Sequence, residues 1–109
     1  MPLYNTSTIA EFDEQVINTD RPVLVDFWAN WCPPCHAMAP VLEGVAQKVK
    51  LGDIVKVDTE ASVDNNSLAA KYDIRSIPNM KLFKGGKVVE EFIGITPSSV
   101  LIEALEKYA

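Results

Sequence analysis

Val23-Leu24-Val25-Asp26-Phe27-Trp28-Ala29-Asn30-Trp31-Cys32-Pro33-Pro34-Cys35-His36 decides the reading of this chain. An apolar run over Val23–Ala29, interrupted only by Asp26, leads through Asn30-Trp31 to a Cys-x-x-Cys pair, and helical periodicity begins immediately after it. Apolar residues on both faces are what a central parallel strand requires. Cys32 and Cys35 are the only two cysteines among 109 residues. Two close thiols where a buried strand hands over to a helix form a reversible redox couple rather than a structural staple. The loop they close is too short for a disulfide to add much stability by constraining the unfolded chain.

The rest of the sequence supplies a framework for that segment. Downstream, Met38, Val41, Leu42, Val45, Ala46 and Val49 form one helical stripe. Upstream, Leu3 to Asn5 suits a short edge strand. Ile9, Phe12, Val16 and Ile17 predict a helix capped by Ser7 or Thr8 and barred from continuing by Pro22. Asp53 to Asp58 reads as the next parallel strand, and Leu68, Ala69 and Tyr72 mark a helix over roughly 62–72. Met80–Phe83 and Val88–Ile93 flank Lys84-Gly85-Gly86-Lys87, a hairpin signal. Thr96 is expected to cap a last helix with Pro97 at its first position, its buried face formed by Val100, Leu101, Ala104, Leu105 and Tyr108. The order βαβαβαββα predicts an α/β fold, a mixed central sheet with helices on both faces, in one domain over residues 1–109. Pro40 falls inside the second helical pattern and is expected to kink it.

Composition narrows the function classes. A formal net charge of −5 excludes the basic face that nucleic acid requires and disfavours an anionic membrane surface. No stretch approaches the roughly 18 apolar residues of a spanning helix. Met1 to Thr6 shows neither a basic region nor an apolar core of a leader. A lone close-spaced cysteine pair differs from the oxidised framework of a secreted scaffold, so the expected location is cytoplasmic.

The segment Val25 to Cys35, with Pro40 five residues on, resembles the active site of the thioredoxin family. Ile74-Arg75-Ser76-Ile77-Pro78 is similar to that family's cis-proline loop, Leu82-Phe83-Lys84-Gly85-Gly86 to its hairpin, and Phe92-Ile93-Gly94-Ile95 to its glycine-containing strand end. The likeness covers essentially the whole chain. Three positions depart from it: Pro33 stands where glycine is usual, His36 where lysine is more familiar, and Asn79-Met80 follow the proline. Trp-Cys-Pro-Pro-Cys also occurs in tryparedoxins and nucleoredoxin-like proteins, which are longer.

The resemblance implies a thiol–disulfide oxidoreductase that reduces protein disulfides and is recycled by an NADPH-dependent thioredoxin reductase. No bound cofactor is implied beyond the Cys32–Cys35 disulfide itself, no metal, and the expected state is a monomer. Cys32, at a helix N-terminus, should have its pKa lowered from about 8.5 toward 7 and act as nucleophile. Cys35 should resolve the mixed disulfide. Asp26, in a doubly buried strand, should have a raised pKa, and the family likeness gives it the proton of Cys35, with Lys56 as its partner on the next strand. The alternative is an Asp26 at a solvated edge. Ile77-Pro78 is expected to be cis, with the Ile77 backbone pairing to an extended target. Trp31, Pro33, Pro34, Ile77, Ile93, Gly94 and Ile95 would form an apolar docking rim, with Trp28 packed behind. His36 is either an aid to the thiolate or an exposed helix residue.

Rival readings are specific enough to weigh. Cys32-Pro33-Pro34-Cys35-His36 satisfies the C-x-x-C-H haem pattern, but the apolar βαβ framework argues against a haem pocket. Two cysteines and an adjacent histidine are one ligand short of a closed zinc site. A specialised redoxin of tuned potential, or a redox-independent binding subunit, would keep the fold and alter the use of the thiols.

Overall fold

The computed structural model describes all residues 1–109 and contains one five-stranded mixed sheet. The strands are β1 (Leu3–Asn5), β2 (Val23–Trp28), β3 (Asp53–Asp58), β4 (Asn79–Lys84) and β5 (Lys87–Ile93). Their spatial order is β1-β3-β2-β4-β5. β1, β3 and β2 run parallel, while β4 is antiparallel to both β2 and β5. The apolar run around Val25 therefore becomes the middle strand, buried throughout except at Trp28. Its C-terminal end lies where the chain leaves for β3 on one side and β4 occupies the other. Open α/β sheets place ligand sites at such switch points.

Helices α1 (Ile9–Phe12), α2 (Pro33–Lys48), α3 (Val63–Lys71) and α4 (Ser98–Lys107) cover the two faces. On one face Leu24, Ile54, Met80 and Leu82 pack with Met38, Leu42 and Val45 of α2 and Leu101 and Leu105 of α4. On the other, Val23, Val25, Phe27, Val55, Val57 and Phe83 meet Phe12, Val16 and Leu68. Strand alternation sends Leu24 and Asp26 to the α2 side and Val25 and Phe27 to the α1 side. No helix is long and apolar enough to cross a membrane.

Local chemistry accounts for most boundaries. Thr8 and Glu11 form a capping box at α1, the Thr8 hydroxyl accepting from the Glu11 amide at 3.1 Å. Ser62 accepts from the Asn65 amide at 3.0 Å and starts α3. Gly85 and Gly86 take φ of 62° and 77°, the left-handed pair that a two-residue hairpin turn needs. Pro40 lies inside α2 without ending it.

Two expectations are corrected. The first helical pattern is not one α-helix: α1 gives way to a π-helical turn over Asp13–Ile17, closed by the Asn18 amide on the Asp13 carbonyl at 2.8 Å. Both arrangements put Phe12 and Val16 inward, so apolar spacing does not separate them. Thr96 does not cap α4. Its hydroxyl donates to the Gly94 carbonyl at 3.1 Å and its amide lies 3.4 Å from Met38 Sδ. Pro97, with extended ψ of 145°, is the residue before the helix instead of its first turn.

Asp73 follows α3 with φ of 55°, the one non-glycine residue in the left-handed region. Glycine is the usual occupant just past a helix C-terminus. Relief of about 1–2 kcal/mol of left-handed strain, less about 0.5 kcal/mol for glycine's freedom in the unfolded chain, sets the expected effect. Asp73→Gly should raise stability by roughly 0.5–1 kcal/mol, read as a higher urea midpoint at unchanged m-value. The Arg75–Asp73 ion pair it removes is 83% and 74% exposed and contributes little. Asp73→Val should move the midpoint the other way.

Candidate active site

The redox pair sits where β2 ends. The Cys32 amide donates to the Ala29 carbonyl at 3.2 Å, a tight turn that brings the chain from strand to helix. Cys32 is the N-cap of α2, with extended φ and ψ of −96° and 104°. Pro33 and Pro34 fill the first two helical positions, where a missing N–H costs nothing. The Cys35 amide, in the helix's first turn, donates to the Cys32 carbonyl at 3.1 Å and also points at Cys32 Sγ from 3.3 Å. Cys32 and Cys35 are joined by a disulfide with a Cα–Cα separation of 5.3 Å. Both are buried. When the bond opens, a negative Cys32 sulfur remains over the amide and the positive end of α2's dipole.

The loop before β4 closes over this sulfur. The Ile77–Pro78 peptide is cis, and the Ile77 carbonyl oxygen lies 3.7 Å from Cys32 Sγ. The Gly94 amide donates to the Pro78 carbonyl at 2.8 Å, bringing the Ile93–Ile95 segment alongside. Trp31, Ile93 and Ile95 are 65%, 57% and 66% exposed. Large apolar side chains at that exposure form an apolar rim around one buried disulfide, which the exposed Pro33 and Pro34 extend. Ile77 and Gly94 are half-buried within it.

Asp26 lies on the face covered by α2, the helix that carries Cys35, and is 1% exposed. Its Oδ1 has no hydrogen-bond partner. Burial raises its pKa from 3.8 to about 6, and the nearby Lys56 charge offsets only part of that rise. A solvated-edge position for Asp26 is thereby excluded. Lys56 is directly in register with Asp26, yet it forms no ion pair with it. Its ammonium lies over the Trp28 ring, 4.6 Å from the centroid. Trp28 is half-buried and its Nε1 is unpartnered. Its ring is met edge-on by His36 at 6.0 Å.

Two contacts here were not legible in the sequence. The Trp31 indole N–H donates to Glu60 Oε2 at 2.6 Å. Between them and Ile77 opens a cavity of about 250 Å³, also lined by Thr59, Asn66, Ala69 and Arg75. Glu60 follows the C-terminal end of β3, and only the sheet order brings it to Trp31. His36 Nε2 lies 2.6 Å from the Asn30 carbonyl oxygen. No cluster of three or more His, Cys, Asp or Glu side chains is arranged to hold a metal ion.

A disulfide at a helix N-terminus, facing a cis-proline loop and backed by a buried carboxylate, defines a thiol–disulfide oxidoreductase site. Comparison with known proteins agrees with the fold and the chemistry. The thioredoxin family model matches residues 4–107. A thioredoxin of Porphyra purpurea is 46% identical over 102 residues, covering 93% of this chain and 92% of the relative. Thioredoxin 1 of Nostoc sp. is 44% identical over 105 residues, with the same coverage of each. Among solved structures, a mutant thioredoxin from Halobacterium salinarum NRC-1 superposes with a TM-score of 0.85 at 34% identity, covering 98% of this chain and 89% of that one. The chain belongs to the thioredoxin family.

Proposed function

We propose that this protein acts as a disulfide reductase for other proteins, in two exchange steps. The Cys32 thiolate attacks one sulfur of a target disulfide, forming the Cys32–target bond and expelling the other target sulfur as a thiolate that takes up a proton. Cys35 then loses its proton and attacks Cys32 Sγ. The Cys32–Cys35 bond forms, and the target leaves with both sulfurs reduced. Asp26 is the acceptor of the Cys35 proton, directly or through water, because a carboxylate with pKa about 6 is poised for transfer near neutral pH. Lys56 acts on Asp26 through space rather than through a bond.

The observation that carries this reading is the position of Cys32 Sγ, 3.3 Å from the Cys35 amide and 3.7 Å from the Ile77 carbonyl. The first stabilises a leaving or attacking thiolate. The second supports a reading in which an extended target chain pairs with the Ile77 backbone beside the reacting sulfur. Trp31, Pro78, Ile93, Gly94 and Ile95 then supply apolar contact without sequence demands, which fits a broad set of disulfide-containing targets.

The dithiol is regenerated by an NADPH-dependent thioredoxin reductase, the protein itself holding no cofactor. It works as a single-domain monomer, an electron carrier in a reducing compartment, for which the cytoplasm is the simplest assignment. Equilibration with glutathione buffers, followed by tryptophan fluorescence, tests the direction of transfer. A potential near about −270 mV is expected, as for thioredoxin reductants. A value near about −180 mV or above would make the protein an oxidant or isomerase and shift attention to Pro33 and His36.

A further inference from the structure

We infer that His36 is a positioning residue for Cys32, a latch that holds the Asn30–Cys32 segment on the first turn of α2 when the disulfide opens. The inference rests on the redox reading above and extends it to a side chain outside the reacting set.

His36 is on the first turn of α2, and its imidazole reaches back past the cysteines. Nε2 lies 2.6 Å from the Asn30 carbonyl oxygen. A carbonyl only accepts, so Nε2 carries the proton and donates. The residue is otherwise exposed, and one side of its ring packs edge-on against Trp28, with planes at 80°. The bond closes a loop from Asn30 through Trp31, Cys32, Pro33, Pro34 and Cys35 to His36, so the segment that carries the nucleophile is held at both ends.

The need for such a tie follows from the backbone. In the disulfide form Cys32 is fixed covalently to Cys35. In the dithiol form that link is gone. The polar contacts that remain are the Cys32 amide on Ala29, the Cys35 and His36 amides on the Cys32 carbonyl at 3.1 and 3.2 Å, the Cys35 amide and the Ile77 carbonyl at Sγ, and the Trp31 indole on Glu60. α2 is weakest in the same place: Pro40 has no N–H, so the His36 carbonyl lacks its i+4 donor within the helix. The imidazole bond ties this turn, which makes one backbone bond fewer to the rest of α2, back to the end of the strand segment at Asn30. It keeps the Cys32 sulfur over the Cys35 amide, and hence keeps the thiolate stabilised.

Removing the donor while keeping an aromatic ring on Trp28 isolates this effect. His36→Phe should raise the Cys32 pKa, read from thiolate ultraviolet absorbance, by roughly half a unit, the scale of losing part of a helix-terminus interaction. The equilibrium with glutathione, read at a pH above both values, should move by the corresponding factor of about three toward the disulfide form, and by less near pH 7. His36→Gln, an uncharged side chain that can place an N–H near the same carbonyl, should restore both values. An unshifted Cys32 pKa in His36→Phe overturns the latch. So does a His36→Gln protein that behaves like His36→Phe, since the effect would then belong to imidazolium charge. Denaturant midpoints measured in parallel identify a variant that fails only through unfolding. A parent protein with no reversible couple would overturn the redox reading itself, whereas a normal parent couple with unshifted variants overturns the latch alone.

Discussion

Cys35→Ser is expected to reduce turnover of a disulfide substrate to the uncatalysed background while leaving the first exchange step intact. The two sulfurs have different surroundings. Cys32 receives the Cys35 amide and faces Ile77 inside an exposed apolar rim, so it is the sulfur that meets a target. Both are buried, but Cys35 lies inside the first helical turn, behind Cys32 at the N-cap, and reaches only what Cys32 presents to it. With serine at 35, the attack on Cys32 Sγ is lost because a serine hydroxyl is far too weakly acidic to resolve the mixed disulfide. The covalent Cys32–target adduct should accumulate to one equivalent, visible as a higher-mass band on non-reducing electrophoresis and as the summed mass by mass spectrometry, and dithiothreitol should release it. Cys32→Ser should lose both turnover and adduct. The folded state should survive both changes, since a disulfide between residues only 3 apart in sequence constrains the unfolded chain little. Continued turnover in Cys35→Ser would show that an added thiol, such as dithiothreitol or glutathione in the assay, resolves the intermediate in place of Cys35.

The parts of the molecule that were readable in the sequence share one property: they are set by local pattern. The run Val23–Trp28 could only be an interior strand, the stripe Met38, Leu42, Val45 could only be a helix packed on it, and Gly85-Gly86 could only be a tight hairpin. The handover at Cys32 follows from the two prolines after it. What escaped the sequence depends on which atoms meet across the sheet. Thr96 looks like a helix cap, but its hydroxyl and amide are used by Gly94 and by Met38, 58 residues away. Lys56 is in register with Asp26, but the Trp28 ring captures its ammonium. Glu60 carries no motif and the pattern that includes His36 does not name its partner, and their contacts to Trp31 and Asn30 exist only once β3 lies beside β2 and α2 has turned back on the strand end. The site is therefore legible as chemistry from its cysteines, and legible as geometry only from the fold.

Asp26→Asn should stabilise the protein and slow it, with opposite dependence on pH. The carboxyl has a pKa of about 6 in the folded protein against 3.8 for the free group, because burial disfavours the charged form more than Lys56 favours it. A folded pKa above the unfolded one means that the folded state binds the proton more tightly. Below 3.8 Asp26 is protonated in both states and has no effect of this kind. Between 3.8 and about 6 the unfolded chain ionises first, and stability falls as pH rises. Above about 6 the full penalty is present, about 3 kcal/mol from a difference of roughly two units at about 1.36 kcal/mol each. Asn at this position never ionises. Its midpoint in urea should exceed the parent's by the equivalent of about 3 kcal/mol at about pH 8, and the two should converge near pH 4. The cost appears in catalysis, because amide nitrogen and oxygen cannot accept the Cys35 proton. Resolution of the mixed disulfide, followed by stopped-flow fluorescence, should slow by at least about tenfold near pH 7, within reach of the roughly 10²-fold usual for a general base. A variant equally stable at both pH values would mean that Asp26 is solvated in solution. A stabilised variant with unchanged resolution would leave the buried carboxylate as an electrostatic burden and assign the Cys35 proton to solvent.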